Sequence, residues 1–400
     1  MIGTKLISSY KSAFSGLQRI VWSISIVLFV NRVGAMVLLF SSLYFTQDLH
    51  FSKATAGFIM SFYGIGSIAG SYMGGWLADR FPAKPLMISA LVASGLILLL
   101  ILTTKNPIAI GAIIFVYAMA SDAFRPASSV AVTNASTEDN RTRSISLMRL
   151  AINLGFTIGP AVGGILASTV GYKWLFVLDA STSFAAAIAL LILYPATATT
   201  KKEKVAYEKP PVATSAYRNK HYLLYILLVA VYGMLFFQIF ASVPNYCKEV
   251  LHYSEKTIGL ILALNGAIVV IVEMPIVQYF QNYQQKRKIV ALGCYCITVA
   301  LAFLLLSNGN LILAMAYVLI ITMSEVFSMP LMMNYALSLP IKERIGQYSA
   351  LYSIGFGISI ILAPIVGLSL AQYFGFTTVY IGVSIAAIIL GLAFTKVMRN

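Results

Sequence analysis

Charged residues are scarce in this chain. Only 10% of its 400 residues are Asp, Glu, Lys or Arg, only 13 are acidic, and 59% are hydrophobic. A soluble protein of this length needs more charged side chains to cover its surface. The composition therefore excludes an ordinary soluble protein, and repeated apolar runs of about twenty residues indicate helices that cross a membrane.

Signatures of cofactor or metal chemistry are also missing. The three cysteines form no disulfide framework, and the three histidines lie near the ends of predicted spans and form no zinc cluster. No Walker-type loop and no nucleophile motif is present. We therefore expect no cofactor, no metal and no enzymatic activity.

The positive charge is distributed unevenly. The net charge is +15, yet one side of the predicted membrane protein carries only five basic residues: Lys53, Lys105, Lys173, Lys248 and Lys256. Most other Lys and Arg residues fall on the opposite side, as expected for cytoplasmic loops. The pattern predicts cytoplasmic termini and requires no nucleic-acid partner.

The hydropathy pattern predicts twelve spans, at 20–46, 54–78, 84–104, 107–135, 141–169, 173–195, 221–247, 255–280, 286–307, 310–340, 343–373 and 376–397. Residues 1–19 are weakly amphipathic and predict a cytoplasmic or interfacial segment. The polar stretch 196–220 is the natural linker between two six-helix bundles, 20–195 and 221–400. The fold class is therefore an all-α polytopic membrane protein.

The two predicted bundles resemble each other in sequence. Residues 50–57 match 252–259, residues 121–126 echo 324–330, and a Gly-Phe pair recurs at 155 and 355. The three offsets are all about two hundred residues, so internal duplication is the simplest explanation. Duplicated bundles suit alternating access around a site near the middle of the membrane.

The loop between the second and third spans carries a recognisable motif. Residues 74–84 read GGWLADRFPAK and include Gly75, Asp79 and Arg80. The string resembles the loop 2–3 signature of the major facilitator superfamily, G-x-L-A-D-R-x-G-R-K, and departs from it after Arg80. The resemblance implies two pseudo-symmetric six-helix bundles, with Asp79 as a gate latch facing the region of Lys342 and Arg344.

A second motif lies in the fifth span. Residues 155–164 read GFTIGPAVGG and resemble the antiporter motif of the drug:proton antiporters of this superfamily. A row of small residues (Gly155, Gly159 and Gly163) thins one helix face so that a neighbour can pack closely, and Pro160 bends the helix. The resemblance implies export, whereas the physical reading implies tight packing, and both can hold.

Seven ionisable residues fall inside predicted spans: Arg32, Asp122, Arg125, Arg149, Asp179, Glu273 and Glu325. Each costs about 3 kcal/mol or more in a bilayer and so requires a partner or a function. Glu325 lies in the middle of the tenth span, where a low dielectric favours the neutral acid. We expect Glu325 to exchange a proton during transport, the alternative being a neutral acid that fixes helix packing.

Two further acids are candidates for proton coupling. Asp122 has Arg125 three residues later on the same helix face, so an ion pair between them is favoured over a free proton carrier. Arg125 also resembles the fourth-span arginine of the antiporter branch. Glu273 has Ser71 as its counterpart in the first half, which favours a role in proton coupling or in binding a cationic substrate group.

Other residues are candidates for substrate binding or gating. Arg32 follows Asn31 in the first span, where it can bind an anionic group or neutralise an acid across the cavity. We expect Arg149 to hydrogen-bond between helices near the inner gate and Asp179 to be structural. Some of the aromatic side chains, including Tyr63 and Phe237, are expected to line an amphipathic cavity.

These features predict a proton-coupled secondary transporter, with the proton gradient as its energy source. The favoured reading is an antiporter that exports small amphipathic or cationic compounds. The alternatives are a proton symporter for peptides, amino acids or other carboxylates, a lipid or lysolipid flippase, and a non-transporting receptor. We expect a monomer in the bacterial inner membrane, whose partners are substrate, protons and the lipid bilayer.

Overall fold

The computed structural model describes residues 16–78, 80–194, 215–280, 283, 285–339 and 345–398, and these are almost entirely helical. The helices of the first half are α1 Arg19–Gly34, α2 Val37–Leu43, α3 Lys53–Ala78, α4 Ala83–Leu100, α5 Pro107–Asn134, α6 Glu138–Thr169 and α7 Lys173–Leu193. A π-helical turn, Tyr44–Asp48, extends α2. Most of the predicted segment 1–19 and of the linker 196–220 lies outside the described residues.

The helices of the second half are α8 Lys220–Phe236, α9 Gln238–Ala241, α10 Val243–Glu249, α11 Glu255–Phe280, α12 Lys286–Leu306, α13 Leu311–Ser338 and α14 Ile345–Val397. Gly375 interrupts α14, with φ 78° and ψ 157°. This break falls between the predicted spans 343–373 and 376–397, so α14 contains two membrane crossings.

The membrane-spanning character of the chain is confirmed by its helices. Ten segments of the described chain are long and apolar enough to cross a membrane, and one of them, Gln347–Val397, contains the break at Gly375. Helix α3 has 26 residues and is also long enough to cross, although its glycines and serines lower its mean hydropathy. Together these helices account for the twelve predicted spans of an all-α polytopic protein.

The internal duplication is visible in the backbone. His50 and His252 occupy matched turns and both have positive φ, at 58° and 54°. The N–H groups of the residues that follow them make matching backbone hydrogen bonds of 2.8 and 2.9 Å. Asn106 and Asn310 cap α5 and α13 in the same way, each accepting a 2.9 Å bond from the N–H two residues later. Since positive φ is uncommon outside glycine, the matched turns indicate one backbone plan used twice.

The two halves meet at two matched helix crossings. Gly57 of α3 lies against the carbonyl oxygen of Pro364 in α14, and Gly259 of α11 lies against that of Pro160 in α6. A Cβ atom at either glycine would collide with the proline carbonyl. Small residues at such crossings let the helices pack closely in a membrane. These two crossings enclose the space in which the candidate site lies.

Candidate functional site

A cavity of about 370 Å³ lies between the halves, near the middle of α3, α5, α6, α11 and α13. Its polar and charged lining residues are Asn31, Arg32, Tyr63, Ser67, Tyr117, Ser121, Asp122, Arg125, Asn153, Asp179, Asn265 and Glu325. Phe156, Phe237 and Phe240 add aromatic surface. The cavity therefore suits a ligand with both apolar and charged parts.

Most of the residues predicted to couple protons or bind substrate line this cavity. They are Asn31, Arg32, Tyr63, Asp122, Phe237 and Glu325, together with the predicted gating residues Arg125 and Pro160. Glu273 does not line the cavity. The described cavity thus brings together residues from at least six helices that are far apart in the sequence.

Glu325 is held by neutral partners. Asn265 of α11 donates through Nδ2 to Glu325 Oε2 at 3.2 Å and to Thr322 Oγ1 at 2.9 Å. One turn of α13 is fixed further by Tyr232, whose hydroxyl donates to the carbonyl oxygen of Ser324 at 2.9 Å. None of the ion pairs in the described part of the chain involves Glu325. The carboxyl group therefore faces the cavity without a fixed counter-charge.

Asp122 and Arg125 do not form the ion pair that their spacing suggests. Among the described residues, no ion pair within 4 Å joins them. Asp122 is buried, at 4% exposure, whereas Arg125 is exposed. Neighbouring positions on a helix bring two Cα atoms close but do not decide where a short and a long side chain end. Both charged groups are therefore left facing the cavity.

Glu273 is engaged in an ion pair between the halves. Its Oε1 accepts a hydrogen bond from Arg149 Nη2 of α6. Glu273 is buried, at 8% exposure, and the Arg149 side chain is half exposed. The interhelical role expected for Arg149 is therefore realised with an acid of the other half. A substrate or free proton at Glu273 would first have to displace Arg149.

Asp179 lies in the cavity wall, where sequence reasoning had expected a structural residue. It is 1% exposed, and its Oδ2 atom has no hydrogen-bond partner among the described residues. Arg32 of α1 lies in the wall of the same cavity. The sequence did single out Asp179, because it is an acid within an apolar span. It did not show which helix Asp179 faces.

The glycine motif of α6 serves two neighbours at once. Gly155, Gly159 and Gly163 pack against α1 and the residues that follow it, at Arg32, Val33 and Met36 respectively. Pro160 and Gly164 lie on another face and meet Gly259 of the second half. The predicted close packing is therefore used both to position Arg32 and to join the halves.

The loop motif after α3 is only partly described. Gly74 packs against Ala123, whereas a side chain at Gly75 would meet open space. The Arg80 guanidinium lies 3.8 Å from the centre of the Trp76 ring and donates to the Trp76 carbonyl oxygen at 3.2 Å. Asp79 and the residues it is predicted to face lie outside the described residues, so the gate latch stays a prediction.

Polar contacts between the halves cluster at the end of the bundle with few basic residues. Lys53 Nζ lies 2.7 Å from Glu249 Oε2. The Tyr172 hydroxyl of the first half donates to Glu255 Oε1 of the second half at 2.7 Å. Lys248 pairs with the same Glu255 oxygen at 2.7 Å. These contacts hold the halves together at this end.

Comparison with models of known protein families identifies the family of this chain. The profile of the Major Facilitator Superfamily matches residues 24–355 of the chain. The chain belongs to the Major Facilitator Superfamily. It is therefore a transporter and not an enzyme, and it crosses the membrane many times.

Relatives within the Major Facilitator Superfamily include cation and drug transporters. The chain is 23% identical to a Na(+), Li(+), K(+)/H(+) antiporter of Planococcus maritimus, over 92% of each chain. It is 21% identical to the quinolone resistance protein NorA of Staphylococcus aureus, over 87% of this chain and 89% of that protein.

Solved structures share the superfamily fold. A crystal structure of the peptide transporter POT in complex with sulfate has a TM-score of 0.81 at 14% identity, over 97% of each chain. The nucleoside transporter NupG has a TM-score of 0.77 at 15% identity, over 96% of this chain and 100% of that one. At these identities the likeness shows the fold alone.

In the described part of the chain, no group of three or more His, Cys, Asp or Glu residues is arranged to hold a metal ion. The cavity acids lie instead among amides, hydroxyls, aromatic rings and two arginines. This lining is suited to binding a small molecule with apolar and charged parts.

Proposed function

We propose that the protein is a proton-coupled antiporter that exports small amphipathic or cationic compounds by alternating access. The observation that carries the proposal is Glu325, a carboxyl group in the cavity between the two halves that has only neutral hydrogen-bond partners among the described residues. Such a group can be protonated in one state and ionised in the other without breaking an internal ion pair. The relatives that are antiporters and drug resistance proteins support the same reading.

In this proposal the substrate and the proton compete for the cavity acids. Glu325, with Asp122, binds the substrate in its ionised form and releases it when protonated from outside. The return step delivers the proton to the cytoplasm, so inward proton flow drives outward substrate flow. The Arg149–Glu273 pair joins the halves at the cytoplasmic side and breaks when that side opens, which makes it a gating contact.

The charge pattern supports one orientation in the membrane. We infer that both termini lie in the cytoplasm, because basic residues collect on one side. Relatives from bacteria support a place in the bacterial inner membrane, and we propose a monomer. The bundles 20–195 and 221–400 are the moving units, joined by the linker 196–220. The proton gradient is the energy source, and no bound cofactor takes part.

The test uses everted membrane vesicles with an acidified lumen, in which added substrate dissipates the pH gradient. We expect lipophilic cations to collapse the gradient in the wild type but not in Glu325→Gln, which cannot ionise. Glu325→Asp is the matched control because it keeps the acid, and it should retain partial exchange. Undiminished exchange in Glu325→Gln would rule out Glu325 as the coupling residue.

A second candidate is proton symport of peptides, amino acids or other carboxylates, with Arg32 as the anion anchor. The specific observation is that Arg32 lines the cavity and that its Nε atom has no hydrogen-bond partner among the described residues. Arg32→Lys removes the planar donor set and keeps the charge. It should abolish uptake of a carboxylate substrate in a symporter and leave efflux of lipophilic cations largely intact in an exporter.

A further inference from the structure

Two oppositely charged atoms in the cavity wall lack hydrogen-bond partners. Arg32 Nε is an unpartnered donor and Asp179 Oδ2 an unpartnered acceptor among the described residues. Both residues line the same cavity, and Asp179 is 1% exposed. Buried polar atoms are nearly always paired in folded proteins, so two unpaired atoms of opposite character in one cavity point to a ligand.

A break in the first span places these atoms. Helix α1 ends at Gly34, with Arg32 in its last turn, and Ala35 leaves helical geometry with ψ 40°. Helix α2 begins at Val37, three residues after the end of α1. Gly34 packs so closely on Thr182 of α7 that a Cβ atom there would overlap the threonine hydroxyl. The break and this contact hold α7 and its aspartate beside Arg32.

The two charges do not satisfy each other directly. No ion pair within 4 Å joins Arg32 and Asp179 in the described part of the chain. Tyr63 of α3 and Tyr117 of α5 line the same cavity, and their ring centres lie 6.3 Å apart. The Arg32 guanidinium lies 5.6 Å from the centre of the Phe156 ring. An acidic and a basic group thus line one cavity together with aromatic rings.

We propose that Arg32 and Asp179 form a subsite for an amphoteric ligand, one that carries both an anionic and a cationic group. The anionic group accepts from Arg32 Nε, and the cationic group donates to Asp179 Oδ2. The proposal rests on the proposed function and specifies its substrate class. A purely cationic ligand fits less well, because it would bind Asp179 while facing the positive charge of Arg32.

Three matched probes separate the two contacts. A quinolone with a carboxylic acid and a piperazine carries both charges, its methyl ester keeps only the cation, and its N-acetyl derivative keeps only the anion. Binding is measured by titration calorimetry with the purified full chain in lipid nanodiscs, without a proton gradient. Asp48→Asn and Arg19→Gln are matched controls, because both residues are exposed at opposite ends of the same first span and neither lines the cavity.

The expected result is a loss that depends on the probe. Arg32→Gln should weaken binding of the acid and the N-acetyl derivative about tenfold and leave the ester within about twofold. Asp179→Asn should weaken binding of the acid and the ester about tenfold and leave the N-acetyl derivative within about twofold. The two control variants should bind all three probes as the wild type does.

Equal losses for all three probes, or no loss in either variant, would overturn the subsite. The double variant Arg32→Gln/Asp179→Asn could also regain the thermal stability that each single variant loses. If it does so and no variant shows probe selectivity, the two residues form an internal charge pair only, and the subsite is overturned. If a variant does not fold, Arg32→Lys and Asp179→Glu keep the charges and displace the bonding atoms, and the same selectivity is required of them. Probe-selective binding together with absent proton exchange would reject the proposed export function and leave the subsite standing.

Discussion

The two halves share a backbone plan but present different chemistry to the cavity. The first half contributes two bases and two acids, Arg32, Arg125, Asp122 and Asp179, whereas Glu325 is the charged lining residue of the second half. The matched turns at 50 and 252 and the matched glycine–proline crossings show no such difference. The two halves therefore agree in the backbone features that join them and differ in the charged side chains that line the cavity.

This contrast separates two kinds of mutational effect. Substitutions at the two glycine–proline crossings should reduce transport to a similar degree, since in our proposal the two bundles move against each other at both crossings. Changes to cavity charges should depend on the half, since the second half couples the proton in our proposal and the first half holds the ligand. Three predictions test this division, beginning with the largest effect.

The first prediction concerns the matched crossings. Gly57→Ala and Gly259→Ala each place a methyl group on a proline carbonyl oxygen of the other half. We expect both variants to lose most transport and about 1–3 kcal/mol of stability through overpacking. Transport rates in vesicles and thermal unfolding of the purified protein measure the two effects. Gly382→Ala is the control, because its Cβ meets open space. A large effect at one crossing alone would show that the halves do not move as equivalent bodies.

The second prediction concerns the partner of Glu325. Asn265 donates a hydrogen bond to Glu325 Oε2 at 3.2 Å. Asn265→Ala leaves this carboxyl group without its amide donor, so we expect the exchange rate to fall and its pH profile to shift. The pH profile of exchange in vesicles measures the change. Asn153→Ala, at a first-half amide in the same cavity, should leave the profile unmoved. An unchanged profile in Asn265→Ala would separate Asn265 from proton coupling.

The third and smallest effect is expected at the end with few basic residues, where matched positions carry opposite charges. Lys53 of the first half pairs with Glu249 of the second half. The residue that corresponds to Lys53 in the second repeat is Glu255, which pairs with Lys248 and accepts a hydrogen bond from Tyr172. Lys53→Gln should cost about 0.5 kcal/mol of stability, because the pair is partly exposed. Glu255→Gln should cost about 1 kcal/mol, since a charged hydrogen bond to Tyr172 is also weakened. Thermal unfolding at low and high salt checks both, and a larger cost for Lys53→Gln would reverse the ranking.

Much of the architecture was predictable because membrane helices are defined by composition. The predicted boundary between spans at 373 and 376 coincides with the break at Gly375. The duplication was predicted from short sequence matches, and it is seen again in His50 and His252, which both have a left-handed backbone conformation. Arg32, Asp122 and Glu325 were predicted to be functional from their cost in a bilayer, and all three line the cavity.

The pairing of charges was less predictable. Asp122 and Arg125 were expected to pair, and no ion pair joins them in the described structure. Glu273 was expected to face substrate or protons, but it pairs with Arg149 of the other half. Asp179 was expected to be structural, and it lines the cavity with an oxygen that has no partner among the described residues. In each case the outcome depends on which helix face meets which, and hydropathy does not report that.

The sequence by itself determined the class of protein, its duplication and the set of charges that a membrane would have to accommodate. Those properties follow from the composition of each segment and from local repetition, which are independent of how the segments pack. Only the tertiary structure decided that Arg149 pairs with Glu273, that Asn265 holds Glu325, and that Arg32 and Asp179 line the same cavity. These contacts join helices that are distant in sequence. They depend on close packing at glycine crossings and helix breaks, and the sequence of one helix does not specify which other helix packs against it there.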